Sequence, residues 1–461
     1  MLPDDVLLKI FDFYVNEDQD KYFKIYIEKW QRLVHVCRRW RRVVFGSPRR
    51  LNLRLVCTSK THARDTLDVW PSLPLLIQDY GYPTKDVDEI LAVLERSDRV
   101  VGIHLSSDNG SNLEIVLAAM QVPFPELKDL QIYPSDRIES VLPDSFLGGS
   151  APRLQTLRLD LIPFPGLPKL LLSATHLVHL HLSNIPHSGY ISPEAIVAVL
   201  FTSTSLDHLA LEFESPQSRP DWEHRHLPPP TRSVLPVLTY FWFKGVCEYL
   251  EDIMTCIDAP RLDYLSIILF NQIVFETPQF IQFISRSPIS QTFEKAIVVF
   301  GEYTARVKLS SQTSGYKMLN TEILCRELDW QVSSMEQVCT LCLPPLSMLE
   351  DLYIYESPYS QPIWKDNIEN TLWLELLQPF TGVKNLYLSE KFASLITPAL
   401  QELTGGSLLS VQNIFLEELQ PSRTVQASIQ QFAATRQVSH PIAVSRWDNS
   451  KEDMEKNYLL Y

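Results

Sequence analysis

The chain has 461 residues, 45% hydrophobic and 21% charged, with 14 glycines, 32 prolines and a formal net charge of −14. That composition excludes wholesale disorder, and the length suffices for two to four domains. The acidic balance disfavours phosphate backbones as partners, and scarce glycine argues against glycine-rich nucleotide loops.

The seven cysteines (Cys37, Cys57, Cys247, Cys256, Cys325, Cys339 and Cys342) are odd in number and far apart. Reduced thiols, and a cytoplasmic or nuclear location, are expected. Asp4 and Asp5 stand where a secretory leader would be basic, and no window approaches the roughly 20 apolar residues of a membrane helix.

Residues 1–55 read as a helical block. Val6, Leu7, Ile10, Phe13 and Tyr14 recur at three- and four-residue steps, one face of an amphipathic helix. Residues 16–29 read as a polar insertion running into a short aromatic segment. A second helix is expected through Trp30, Leu33, Cys37, Trp40 and Val44, with Arg38, Arg39, Arg41 and Arg42 on its other face. Ser47-Pro48 should end it, because a residue before proline disfavours helix. Residues 56–95 read as a connector.

From about residue 96 to 440 a repeat emerges: an apolar residue, two others, an apolar residue, one other, an apolar residue. It fits Val100/Ile103/Leu105, Leu127/Leu130/Ile132, Leu154/Leu157/Leu159, Leu177/Leu180/Leu182 and Leu206/Leu209/Leu211. It fits again at Leu238/Phe241/Phe243, Leu262/Leu265/Ile267, Leu349/Leu352/Ile354, Val383/Leu386/Leu388 and Val411/Ile414/Leu416. First positions advance by 27, 27, 23, 29, 32, 24, 87, 34 and 28, and the gap of 87 should hold about three periods, Leu324/Leu328 among them. Leucine-rich repeats have this strand core at similar periods.

Helix-like stretches separate the strands. Ser192-Pro193, Thr277-Pro278 and Thr397-Pro398 each offer a capping hydroxyl ahead of a first-turn proline. Asn112–Gln121, Val246–Asp258 and Asn367–Leu377 are further helices. Strand, loop and helix in fixed order give a parallel sheet with helices outside. Ser215 to Ser233, holding Pro228-Pro229-Pro230, should be an exposed loop, and 441–461 a tail.

The opening Leu2-Pro3-Asp4-Asp5-Val6-Leu7-Leu8-Lys9-Ile10-Phe11 and the later Leu33-Val34-His35-Val36-Cys37-Arg38-Arg39-Trp40-Arg41-Arg42-Val43 resemble the two ends of the F-box. With the repeats, the chain resembles the leucine-rich-repeat F-box proteins of mushroom-forming fungi. It departs from them in a longer segment between the F-box helices and a motif starting at Met1. The resemblance implies an α/β chain: a small N-terminal helical F-box, then a curved leucine-rich-repeat-like solenoid with a parallel sheet on the concave face. It also implies a non-enzymatic substrate-recognition adaptor of an SCF-type ubiquitin ligase. The F-box would dock on a Skp-family linker subunit, and through it a cullin-RING ligase, while the repeats bind a protein target.

A block of about 50 residues is too small to bury two apolar helix faces alone. Leu2, Pro3, Leu7, Ile10, Leu33, Val36, Trp40 and Val43 are the candidate linker contacts; the alternative is that they form the block's own core. The arginines Arg38, Arg39, Arg41, Arg42, Arg49, Arg50 and Arg54 read as a solvated face or as steering toward an acidic linker, ahead of nucleic acid.

Concave-face positions are polar or small early (Gln131, Arg158, Asp160, His181, Ser183) and aromatic later: Tyr240, Trp242, Tyr264, Tyr353, Tyr355, Tyr387 and Phe415. Aromatic anchors dominate binding, so these later rings are the candidate target surface. The alternative is that the tail, with Trp447, Tyr458 and Tyr461, covers them.

Cys339-Thr340-Leu341-Cys342 lacks a second pair at zinc spacing, and His176, His179 and His181 lack a nearby carboxylate cluster, so no metal, cofactor or catalytic residue is expected. No phosphate-loop, nucleophile-elbow or metalloprotease motif occurs. A repeat scaffold acting independently of ubiquitination is the main competing reading, and a hydrolase with scattered groups a remote third.

Overall fold

The computed structural model describes residues 2–16, 29–58, 67–70, 72–80, 87–107, 110–135, 141–216, 232–270, 275, 277–291, 293–311, 317–364, 368–402, 410–417, 423–435 and 442–447. The expected insertion, most of the Ser215 to Ser233 loop, Tyr458 and Tyr461 lie outside these residues. The chain divides into two units, Met1–Ile191 and Ser192–Tyr461.

The first unit opens with helices α1 (Asp4–Asn16), α2 (Lys29–Val34) and α3 (Arg38–Phe45). The expected second helix is thus two. Cys37 takes extended backbone and its Sγ accepts from the Trp40 N–H at 3.5 Å, so it caps α3 instead of continuing α2. Trp30 is fully buried, its ring against Phe45 and Trp70 and its Nε1 donating to the Arg54 carbonyl at 3.1 Å.

There follow β1 (Leu55–Cys57), β2 (Leu75–Tyr80), α4 (Val87–Leu94), β3 (Val100–Ser107), α5 (Gly110–Ala119), β4 (Asp129–Pro134), β5 (Thr156–Asp160), α6 (Leu167–Leu171) and β6 (His179–Ile185). The six strands pair in chain order, all parallel. Register sets Ile77, Ile103, Leu130, Leu157 and Leu180 side by side as one buried row. Two strands and a helix therefore occupy the stretch expected to be a connector. Leu75, Leu76 and Ile77 are all buried, so β2 shows an unbroken apolar run instead of the repeat's alternation.

The second unit comprises α7 (Pro193–Thr202), β7 (His208–Phe213), β8 (Ser233–Val234), β9 (Tyr240–Gly245), α8 (Cys247–Cys256), β10 (Ile257–Asp258), β11 (Tyr264–Phe270), α9 (Pro278–Arg286), β12 (Lys295–Phe300), β13 (Thr304–Ser310) and β14 (Met318–Leu324). It continues through α10 (Leu328–Gln337), β15 (Asp351–Glu356), α11 (Asn370–Leu377), β16 (Asn385–Leu388), α12 (Glu390–Glu402), β17 (Asn413–Leu416), α13 (Arg423–Thr435) and β18 (Ala443–Arg446). The sheet runs β7-β9-β11-β14-β13-β12-β15-β16-β17-β18, with β8 and β10 paired apart.

One strand breaks the parallel rule. β13 is antiparallel to both β12 and β14, and these three fill the long gap in the repeat. Only Gly301-Glu302-Tyr303 joins β12 to β13, and the Gly301 N–H donates to the Thr304 carbonyl at 2.7 Å. A link that short closes a hairpin, whereas a parallel crossover needs a dozen residues or more. At the far edge β18 pairs parallel with β17, so the expected tail supplies a strand.

Helix starts follow the expected chemistry unevenly. Ser192 Oγ accepts from the Ala195 N–H at 3.3 Å, capping α7. At α9 the buried Glu251 carboxylate does this work in place of Thr277, accepting from Gln279 N and Phe280 N at 2.8 Å each. Thr397-Pro398 starts no helix: Pro398 lies inside α12 and Thr397 Oγ1 donates back to the Ala393 carbonyl at 2.7 Å. The buried stripe of Phe392, Ala393, Ile396, Ala399 and Leu400 runs through that point, and its burial outweighs the lost hydrogen bond.

Every first, fourth and sixth residue of the ten repeats is buried. In β9 the core ring Phe241 and the outward ring Tyr240 are sequence neighbours on opposite faces. Phe241→Ala is expected to cost about 3–5 kcal/mol of unfolding free energy. Tyr240→Ala should cost about 1 kcal/mol, the loss of ring stacking. Urea unfolding of both variants checks the difference, and equal costs would contradict the assignment of faces.

Candidate interaction surfaces

The helical head has an inner and an outer side. Leu7, Phe11, Leu33, Val34, Val43 and Val44 are buried, and Phe11 packs against Trp40 with ring centroids 4.7 Å apart. Leu2 (52% exposed), Ile10 (48%), Phe13 (68%) and Val36 (58%) face outward. The eight sequence candidates therefore divide. Leu2, Pro3, Ile10 and Val36 are exposed, Trp40 is half-buried, and Leu7, Leu33 and Val43 lie inside the head. Sequence reasoning left out Phe13, although it stands three residues from Ile10 and shares its helix face.

An arginine bridges two helices of the head. The Arg39 guanidinium donates to the Asp4 carboxylate at 2.7 and 2.9 Å and to the Leu2 carbonyl. It thereby ties the N-terminus of α1 to the start of α3, next to the turn carrying Val36. Arg41 Nε donates to the Val34 carbonyl at 3.1 Å, and Arg50 lies 3.9 Å from Asp12, while Arg38, Arg42 and Arg49 are exposed.

In the sheets, alternate residues turn away from the leucine core onto a second face. In the first unit this face is a hydrogen-bonded polar surface. His104 Nε2 meets Asp129 Oδ2 at 2.8 Å, Gln131 Nε2 donates to Asp129 Oδ1 at 3.0 Å, and Asn184 Nδ2 donates to Asp160 Oδ1 at 2.9 Å. Arg158 lies between Gln131 and His181 in register, and Ser183 beside Asp160.

In the second unit the face carries two stacks of rings. His208, Tyr240 and Tyr264 stack across β7, β9 and β11 at 5.3 and 4.4 Å, with Trp242 parallel to Tyr264 at 6.5 Å. Tyr353, Tyr387 and Phe415 stack across β15, β16 and β17 at 4.0 and 4.4 Å. Residues at equal register on neighbouring strands sit at about the 4.8 Å strand spacing, which forces the rings parallel. The Trp447 ring, following β18, meets Tyr353, Tyr355 and Tyr387 at 5.6, 5.9 and 5.8 Å. Tyr355 is 4% exposed and belongs to a small apolar cluster with Ile297 and Val299. The first stack and Phe415 make no ring contact with Trp447 among the described residues.

Between the stacks the face is charged. Lys295 on β12, Arg306 and Lys308 on β13, and Glu322 on β14 all project from it, and Lys295 Nζ lies 4.1 Å from the Tyr353 ring centre. Burial, then the Arg306 and Lys295 charges, lower the Lys308 ammonium to a pKa of about 8. Burial raises the Glu322 carboxyl, opposed by Arg306 and Lys244 and by a hydrogen bond from Thr304.

The C-x-x-C is a core feature. Cys339 and Cys342 are buried, and burial pushes the Cys342 thiol up to about 11 and Cys339 higher still, so neither is a poised nucleophile. His179 and His181 share one face of β6, with exposed His176 in the turn before it.

An ordinary lysine titrates near 10.5, so between about pH 8 and 10.5 the unfolded chain binds more protons at Lys308 than the folded one. Folding stability should rise with pH across that window. Lys308→Met is expected to raise the melting temperature at pH 7 and to flatten that rise; an unchanged or lower melting temperature would contradict this.

Comparison with known proteins bears first on the head. The F-box-like family model matches residues 1–50. No curated protein matches the chain. Among solved structures, the chain is similar to TLR13 in a crystal structure of a TLR13–ssRNA13 complex, at 14% identity and a TM-score of 0.34 over 85% of this chain and 48% of that one. It thus spans about half of that chain. It is also similar to the leucine-rich repeat-containing protein LegL7 from Legionella pneumophila, at 12% identity and a TM-score of 0.27 over 84% of this chain and 99% of that one. Among the described residues no helix is long and apolar enough to cross a membrane. The chain joins an F-box-like domain at residues 1–50 to a leucine-rich-repeat-like α/β array of mostly parallel strands.

Proposed function

We propose that this protein is the substrate-recognition adaptor of an SCF-type ubiquitin ligase. The F-box-like head docks on a Skp-family linker subunit, which joins it to a cullin-RING core, and the ring-bearing face of the second unit binds a protein target. The supporting observation is the exposed apolar set Leu2, Ile10, Phe13 and Val36, on a head whose inner side is already filled by its own core. Apolar side chains left bare beside a completed core mark a protein interface. The adaptor contributes position and no chemistry: it holds the target near the conjugating enzyme, a gain in effective concentration.

On the target side, Tyr240, Trp242, Tyr264, Tyr387 and Phe415 offer half-buried rings held rigid by stacking. Rigid rings lose little entropy on binding, which favours them as anchors. Tyr353, Tyr355 and Tyr387 lie against Trp447, the first two supporting that surface.

Because Ile10, Phe13 and Val36 are exposed, charging them leaves the core intact. Ile10→Glu, Phe13→Glu and Val36→Glu are each expected to weaken co-purification with a Skp-family subunit about tenfold or more, with an unchanged melting temperature. If the intact chain ignores that subunit where a control F-box binds it, the adaptor reading fails and a scaffold independent of ubiquitination takes its place.

A further inference from the structure

We infer that the stack of His208, Tyr240 and Tyr264 is a seat for an aromatic side chain of the protein target, tryptophan above all. The target's ring is received crosswise on the ring rims, as Trp447 is received on Tyr353 and Tyr387. The inference rests on the proposed target-binding role of this face and adds the residue class that the face selects.

Strand register builds the two stacks alike. Tyr240 is level with His208 and Tyr264, and Tyr387 with Tyr353 and Phe415. The paired tyrosines lie 4.4 and 4.0 Å apart with their planes within 8° and 4° of parallel. The middle ring of each triplet therefore has a stacked neighbour against both faces. A cation needs an open ring face, so these middle rings offer a partner only their rims.

Trp447 shows what such a rim receives. Its ring is nearly equidistant from Tyr353 and Tyr387, at 5.6 and 5.8 Å, with planes inclined at 68° and 71°. It stands crosswise over two rims and does not join the stack. Ring rims are positively polarised and ring faces negatively, so crosswise rings attract one another. The strand that carries Trp447 has little else to anchor its side chains: all four residues of β18 are exposed, and Trp447 is half-buried.

The first stack repeats this construction with a more apolar end. Lys295 Nζ lies 4.1 Å from the Tyr353 ring centre, whereas register places the thioether of Met318 level with Tyr264. Trp242 lies parallel to Tyr264 at 6.5 Å and widens the platform. An indole is large enough to span two rims at once, as Trp447 does. Leucine would bury apolar area there without the attraction of rim to face.

The test uses the full chain and four degenerate peptide libraries, alike except for a fixed central tryptophan, phenylalanine, leucine or lysine. Retention of the tryptophan library should exceed that of the leucine library by about tenfold, with phenylalanine between them and lysine lowest. Tyr240→Leu and Tyr264→Leu should each remove most of that preference. Tyr240→Phe, which keeps the ring rim, should retain it, and melting curves should show all three variants folded. Equal retention of tryptophan and leucine would overturn the inference, as would lysine at or above tryptophan, or a preference unmoved by both leucine variants. A preference seen only after Tyr458→Ala and Tyr461→Ala would make the chain's own tail the occupant and overturn it too. Leucine retained as well as tryptophan, both above bare resin, sinks this inference alone; no library retained above bare resin sinks the target-binding reading with it.

Discussion

A β-strand can bury only one set of alternate side chains in a given core, and the other set must go somewhere else. In this protein the first set is leucine, isoleucine, valine and phenylalanine, aligned across strands by register and buried without exception in the ten repeats. Burial of each such side chain is worth about 1.5–3 kcal/mol. The leucine rows thus fix the register of the strands they occupy, and register in turn decides which outward residues become neighbours. The ring stacks exist because Tyr240 and Tyr264, or Tyr353 and Tyr387, are equal in register. Some outward residues are buried as well, as in the cluster of Ile297, Val299 and Tyr355, while Tyr240, Trp242 and Tyr264 stay half-buried.

The departure at β13 shows the same constraint from the other side. Its antiparallel direction breaks the repeat, yet Ala305, Val307 and Leu309 still fall in line with Ile323, Thr321 and Leu319 and are buried with them. Core alternation survives, and the strand's remaining face delivers Arg306 and Lys308 to the middle of the ring-bearing surface. The half-buried Lys308 ammonium is lowered to about 8, first by desolvation and then by the Arg306 and Lys295 charges, at a cost to stability.

Much of this was legible in the sequence for a physical reason. Ten strand cores, helices such as Pro193–Thr202, and the outward rings all follow from periods of two and of three to four residues. Legibility failed where long-range packing overrode a local signal. Leu75, Leu76 and Ile77 lack alternation because both their faces are covered. Thr277 ceded its capping role to Glu251, which lies 26 residues earlier in the chain and meets α9 only after folding. Thr397-Pro398 has the composition of a helix start but sits in a helix held by its apolar stripe. In the head, the apolar pattern could not tell Leu7 from Ile10; α3 and its arginine clamp to Asp4 decide which one faces out.

In the proposed adaptor the head and the ring-bearing face would serve separate partners. Carbene footprinting of the chain, alone and saturated with a Skp-family subunit, measures this directly. Labelling is expected to fall at Leu2, Ile10, Phe13 and Val36 and to stay constant at Tyr240, Trp242 and Phe415. Unchanged labelling of the head, or protection of those rings by the linker subunit, would contradict it.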